Sequence, residues 1–271
     1  KRCVATTALL PVVIFVLAIV LLSVGLRRLP RAALWFTGLL LPLFPLFSDT
    51  SDWDSWFDWV KRYSVIFPTF LWVFLHARPE QRFSRFLAAA MPYLLILNVL
   101  EAGFLDLLGA NPLNGALVIL VAGCVPLRWT REGDPPLLGF RDPLWQAAYS
   151  LTLARLYVLN PTFENSTAGL LIILVIASLL CLIQRDSRNY LTWRVYSLYI
   201  FILQDSIFPT LSDHLYPAWL HSSNRVQWQG TWLADLWLVL NFALVAALLF
   251  RRIWTRRGKS PIKNSHSGSI A

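Results

Sequence analysis

Among the polar side chains that could bind an ion, move a proton or hydrogen-bond a solute inside otherwise apolar stretches of this sequence are Asn98, Glu101, Asp106, Arg155, Gln204 and Asp205. A charge in such surroundings is costly unless it is paired or meets water, so each marks a candidate site. Asn98 and Glu101 are three residues apart and share one face of a helix. Arg155 is expected to pair with Glu101 or Asp205, with Asn98 and Gln204 as hydrogen-bonding partners. A carboxylate that changes protonation in this setting can couple solute movement to protons. The plainer reading is a set of separate ion pairs that hold helices together.

Lys61 and Arg62 extend the set. They follow the segment Ser51-Asp52-Trp53-Asp54-Ser55-Trp56-Phe57-Asp58-Trp59-Val60, in which Trp53, Trp56, Phe57 and Val60 form one apolar stripe at helical spacing. This predicts an amphipathic interfacial helix over about 51–63 that runs into the next apolar block. Its tryptophans suit the headgroup level, and Lys61 and Arg62 are placed to attract an anionic headgroup. A lid over an outward-facing pocket is the sharper reading of the same segment.

Familiar catalytic signatures are missing: no H-E-x-x-H, G-x-S-x-G, P-loop or G-x-G-x-x-G appears. Asp213-His214 with His221 is a weak metal candidate, and His214 alone has the right ordinary pKa for a general base. No metal site is assigned, and no cofactor is legible. Cys3, Cys124 and Cys181 lack any zinc-like spacing and read as small buried hydrophobes. Tyr149-Ser150 and Tyr196-Ser197 each precede a proline by similar distances, a faint internal echo.

The elements that must position these groups follow from composition. The 271 residues are 56% hydrophobic and 14% charged, with mean hydropathy +0.55. Soluble domains carry roughly 25% charged residues. The apolar residues fall in blocks of a length that crosses about 30 Å of hydrocarbon. Nine spans are predicted: 4–26, 32–47, 60–76, 84–101, 113–127, 143–159, 168–183, 191–209 and 232–250. The short blocks 32–47 and 113–127 are candidates for re-entrant or kinked segments, the first because Pro42 and Pro45 interrupt it.

Charge supplies an independent check. The net charge is +9 and the pI about 9.9. With the N-terminus outside, 17 of the 24 Lys and Arg residues fall in cytoplasmic loops and 5 outside. That asymmetry predicts an odd number of spans with the C-terminus in the cytoplasm. Basic residues so distributed encode topology, not nucleic-acid binding. The acidic residues Asp49, Asp52, Asp54, Asp58, Glu101, Asp106, Glu164 and Asp213 lie toward the outer side. The expected architecture is an all-α polytopic transmembrane helical bundle, a single domain over 1–255. A flexible basic cytoplasmic tail over 256–271 is expected to lie near anionic lipid. The chain opens on Lys1, and a few native residues are expected before it.

The run Asp58-Trp59-Val60-Lys61-Arg62-Tyr63-Ser64, followed by Asn98-Val99-Leu100-Glu101-Ala102 and Asp106, resembles a bacterial family of uncharacterised polytopic membrane proteins. Asp142-Pro143-Leu144-Trp145 and Tyr149 are similar to its next block. The likeness spans about residues 50–160. It implies a membrane location and directs attention to Lys61, Arg62, Asn98, Glu101 and Asp106; it implies no activity.

Together these readings predict an outward-facing polar cavity that binds or transports a small polar or lipid-linked solute, built from Lys61, Arg62, Asn98, Glu101, Asp106, Arg155, Gln204 and Asp205. Two rivals use the same residues differently: a non-catalytic subunit of a larger membrane complex, and an intramembrane enzyme acting on a lipid-linked substrate at the outer face. Membrane lipid is an expected partner in each.

Overall fold

The computed structural model describes residues 2–43, 53–109, 111–132, 137–160, 167–207 and 230–257. Among them are nine α-helices: α1 (Arg2–Arg28), α2 (Pro30–Leu43), α3 (Trp53–Ala77), α4 (Arg82–Leu107), α5 (Pro112–Gly123), α6 (Pro143–Leu159), α7 (Thr167–Gln184), α8 (Tyr190–Ile207) and α9 (Trp232–Arg257). Each expected apolar block meets one helix. The interfacial segment and the third block form a single helix, α3.

Local chemistry explains several boundaries. Asp142 caps α6 by accepting from the Trp145 backbone N–H at 2.9 Å, and Pro143 occupies the first turn. Pro112 starts α5 in the same way. α7 ends where Arg185 takes a left-handed φ of 51° and the Asp186 N–H reaches back to the Cys181 carbonyl. Asp186 then caps a short 3-10 turn, Ser187–Asn189, and accepts a forked pair of bonds from the Arg188 guanidinium. Those bonds hold the Asp186 carboxyl below its ordinary range.

The described residues are mostly helical, as the all-α expectation has it, with one small addition. Thr130–Glu132 (β1) and Leu137–Gly139 (β2) form a small antiparallel hairpin, with Thr130 opposite Gly139. Three-residue strands are too short to show alternation in sequence. The hairpin sits against the 3-10 turn so closely that a Cβ on Gly139 would lie 2.6 Å from the Arg188 carbonyl oxygen. Glycine is required there.

Contacts between helices fix their directions. α3 and α4 form a hairpin, with Phe74 against Phe83 at 5.9 Å. α6 and α8 run in the same sense, since Ser150 meets Tyr190 and Tyr157 meets Arg194. α9 runs opposite to α6: Asn241 reaches the Leu151 carbonyl and Arg251 pairs with Asp142. The end of α1 joins the end of α7 and the start of α8, where Arg27 donates to Gln184 at 2.8 Å and lies over the Trp193 ring. One end of the bundle therefore collects arginines at helix termini, Arg27, Arg188, Arg251 and Arg252 among them. The opposite end collects the start of α3 and α9 and the finish of α4, α6 and α8.

At the arginine-rich end an aromatic chain fills the core: Trp72, Trp129, Phe140, Trp145, Tyr149 and Tyr190, each ring within 6.2 Å of the next. Outward faces are apolar instead. Leu21, Phe86, Leu97, Leu182, Ile183 and Phe242 are all exposed, as expected of surfaces that meet lipid.

Two helices, Arg82–Leu107 and Trp232–Thr255, are long and apolar enough to cross a membrane. The segments Val12–Arg28 and Pro30–Leu43 qualify together, but they are bent by 111° at the break. The blocks 4–26 and 32–47 thus lie in two helices that meet at one sharp bend, the geometry of a broken span or a re-entrant loop. The other helices fall short for visible reasons. α5 has 12 residues and α6 has 17, whereas about 20 are needed. α3 carries Asp54, Asp58, Lys61 and Arg62 near its start, and α8 carries Arg194 and Asp205. The structure accordingly places a membrane-associated helical fold on two or three such segments.

Candidate functional site

Asp106, Arg155, Arg62, Gln204 and Asp205 lie at the end opposite the arginine cluster, in two groups. The first is built on the α4–α5 hairpin. These helices cross at Gly103 and Gly115: a Cβ on Gly115 would come within 2.3 Å of the Leu107 backbone nitrogen and 2.7 Å of the Gly103 oxygen. That closeness brings Asn114 onto Asp106. Its amide donates to the carboxylate at 2.7 Å and to the Thr152 carbonyl at 3.1 Å. Asn160, at the end of α6, donates to the other carboxylate oxygen at 3.2 Å. Asn241 of α9 donates to Asn114 Oδ1 at 3.2 Å. Asp106, Asn114 and Asn241 are fully buried. One carboxylate and three asparagines thus join four helices; both Asp106 oxygens are satisfied, while Asn241 Oδ1 is buried without a partner.

Arg155 stands beside this network. It is only 6% exposed, and its Nε has no hydrogen-bond partner. The carboxylates that act on it are Asp106, already taking two asparagine bonds, and Asp235 at the exposed start of α9. The guanidinium is therefore only partly compensated.

The second group joins α3 to α8. Arg62 lies 3.3 Å from the Asp205 carboxylate and donates to Ser206 Oγ at 3.0 Å. Next to it, both polar atoms of the Gln204 amide are buried without a partner. Lys61 belongs to the same turn of α3; its side chain lies outside the described residues.

Three expectations are corrected. Arg155 does not pair with Asp205, because Arg62 reaches that carboxylate from the adjacent helix. Nor does it pair with Glu101. Asp106 follows Glu101 by five residues, a rotation of about 140° on a helix, so when Asp106 faces the core Glu101 turns away. Glu101 is half-buried and Asn98 is exposed; neither joins the two groups. His214 and His221 lie outside the described residues.

Sequence reasoning passed over Asn114 and Asn241. Their signal was present: a lone asparagine in an apolar helix costs too much to stand without partners. It also gave little weight to Arg194, which is 4% exposed and donates to the Tyr157 hydroxyl at 3.0 Å. The ionisable groups around this guanidinium are Tyr149, Tyr157 and Tyr190, with no carboxylate among them. Its Nε and one terminal nitrogen have no partner. His76 and Tyr196 form a further buried pair at 2.8 Å. Cys124 and Cys181 are buried free thiols.

Comparison of the chain with protein-family models, curated proteins and solved structures finds no match. The functional reading rests on the residues above.

Proposed function

We propose that this chain is a multi-pass protein of the bacterial inner membrane that binds, and in its full role moves, a small anionic or lipid-linked solute at the end holding Arg155 and Arg62. In this reading nine helices cross or enter the bilayer, the N-terminus is outside and the C-terminus is cytoplasmic. The gathering of helix-terminal arginines at the opposite end supports that orientation. The resemblance to uncharacterised membrane proteins agrees with the location.

One observation carries the reading: Arg155 is buried yet only partly compensated, since Asp106, the buried carboxylate that acts on it, already accepts two asparagine bonds. A guanidinium in this state attracts an anion with planar, forked geometry, such as a carboxylate or phosphate. Arg62, 33% exposed, supplies a second positive group on the approach. Gln204 offers an unused donor and acceptor.

The test is thermal unfolding of the purified chain in mild detergent against inorganic phosphate, a sugar phosphate, a dicarboxylate and the matching neutral sugar. A bound ligand raises the melting temperature by mass action. At least one anion should raise it in the wild type and not in Arg155→Gln, while the neutral sugar does nothing. An equal response of both proteins to every anion would defeat the proposal.

A second reading is favoured by the Asp106 network itself. A carboxylate saturated by asparagines is a clamp between helices, as suits a scaffold or non-catalytic subunit of a membrane complex. Recovery of a stoichiometric protein partner after mild extraction would support it.

A further inference from the structure

α5 has 12 residues, about 18 Å of helix, beside α4 with 26, about 39 Å. α5 starts level with the end of α4 and stops after Gly123, roughly opposite Tyr93 and Ile96. Past that point no helix among the described residues lines the space between α4 and α9. The result is a cleft of about 740 Å³ at the arginine-rich end, lined by Tyr93, Ile96, Gly123, Arg128, Leu249 and Arg252 among others. This cleft is at the other end of the bundle from the solute site proposed above.

Its chemistry is divided. Tyr93, Ile96 and Leu249 make an apolar wall, while Arg128 and Arg252 supply two positive charges. Among the described residues, none that lines it is acidic. Arg252 donates to the Cys124 carbonyl, and its Nε is buried without a partner. Arg128 is exposed. The neighbouring carboxylate, Asp142, is already committed to Arg251 and to capping α6. Two guanidinium groups above an apolar wall fit an anionic headgroup attached to hydrocarbon. The volume lies in the range of small-ligand sites. The flanking helices, α4 and α9, are also the two long and apolar enough to cross a membrane, and Tyr93, Phe250, Ile253 and Trp254 are exposed around the opening.

We propose that the cleft between α4 and α9 below Gly123 is a binding site for an anionic glycerophospholipid, its phosphate on Arg128 and Arg252 and its acyl chain along Tyr93, Ile96 and Leu249. The lipid completes the helix layer that α5 leaves unfinished. A soluble anion would use the arginines and leave the apolar wall uncovered.

The experiment uses the full chain in nanodiscs of phosphatidylglycerol and phosphatidylcholine in equal parts, followed by native mass spectrometry of retained lipid. Phosphatidylglycerol should be retained preferentially. Arg128→Gln should lower that preference about fivefold, the effect of one arginine near an anionic surface. Gly123→Phe should abolish retention without unfolding the protein, because a Cβ at Gly123 meets nothing within 4 Å. Equal retention of both lipids would overturn the assignment, as would unchanged retention by folded Gly123→Phe. So would displacement of the lipid by free glycerol phosphate, which would make the site one for a soluble anion. If Gly123→Phe fails to fold, Arg128→Gln decides alone, since its side chain is exposed.

Discussion

The amide of Asn114 donates to the carboxylate of Asp106 at 2.7 Å, eight residues back along the chain. This bond lies at the centre of the buried network. Removing the donor leaves a buried carboxylate short of one partner, whereas hydrogen bonds to charged groups contribute about 1.5–3 kcal/mol. Asn114→Ala should therefore destabilise the protein by about 2–3 kcal/mol, read from denaturant unfolding in detergent. A change below about 0.5 kcal/mol would mean that water replaces the amide and the network is not closed.

Two glycines offer a matched comparison. Gly115→Ala forces a Cβ into the backbone of α4, with contacts of 2.3–2.7 Å, and rigid backbone cannot yield as a side chain does. It should prevent the hairpin from closing and sharply reduce the yield of folded protein. Gly25→Ala meets nothing within 4 Å inside α1 and should stabilise by up to about 1 kcal/mol through helix propensity. Similar yields of the two variants would contradict the close crossing.

The bond between Arg62 and Asp205 predicts coupling between α3 and α8. Both groups are partly exposed, at 33% and 21%, so a double-mutant cycle with Arg62→Gln and Asp205→Asn should give only about 0.5–1 kcal/mol. Exchanging the charges, Arg62→Asp with Asp205→Arg, should restore most of what either single reversal loses. Additive single effects would dissolve the pair.

The pH response of the Asp186–Arg188 fork has a definite sign. The carboxyl titrates below its ordinary value in the folded protein. Its contribution to stability is therefore complete above the unfolded pKa of about 3.9. It fades as pH falls through the lower folded value. Melting curves of the wild type and Arg188→Gln should differ by a constant amount at neutral pH and converge in acid. A gap that widens in acid would reverse the assignment.

The helical segments were readable because apolar blocks are punctuated by arginines and prolines; block 143–159 coincides with α6 because Asp142-Pro143 marks its start. Pairings across helices were not. The rotation between Glu101 and Asp106 decides which carboxylate faces the core, and hydropathy alone does not record it. Arg62 was recognised as a candidate, yet its partner depends on which end of α8 lies beside α3. The small hairpin near Trp129 escaped because three-residue strands show no period.

The network at Asp106 also has an order in time. Asn114 meets Asp106 as soon as the hairpin of α4 and α5 is made, but its own carbonyl waits for Asn241, 127 residues further on. The Cys124 carbonyl waits 128 residues for Arg252, and Asp142 waits 109 for Arg251. During synthesis these groups lack their α9 partners until α9 leaves the ribosome, although Asp142 already caps α6. A chain interrupted before α9 would leave this seam half made. Arrival of α9 is thus the step that closes the seam between α5, α6 and the loop after α5.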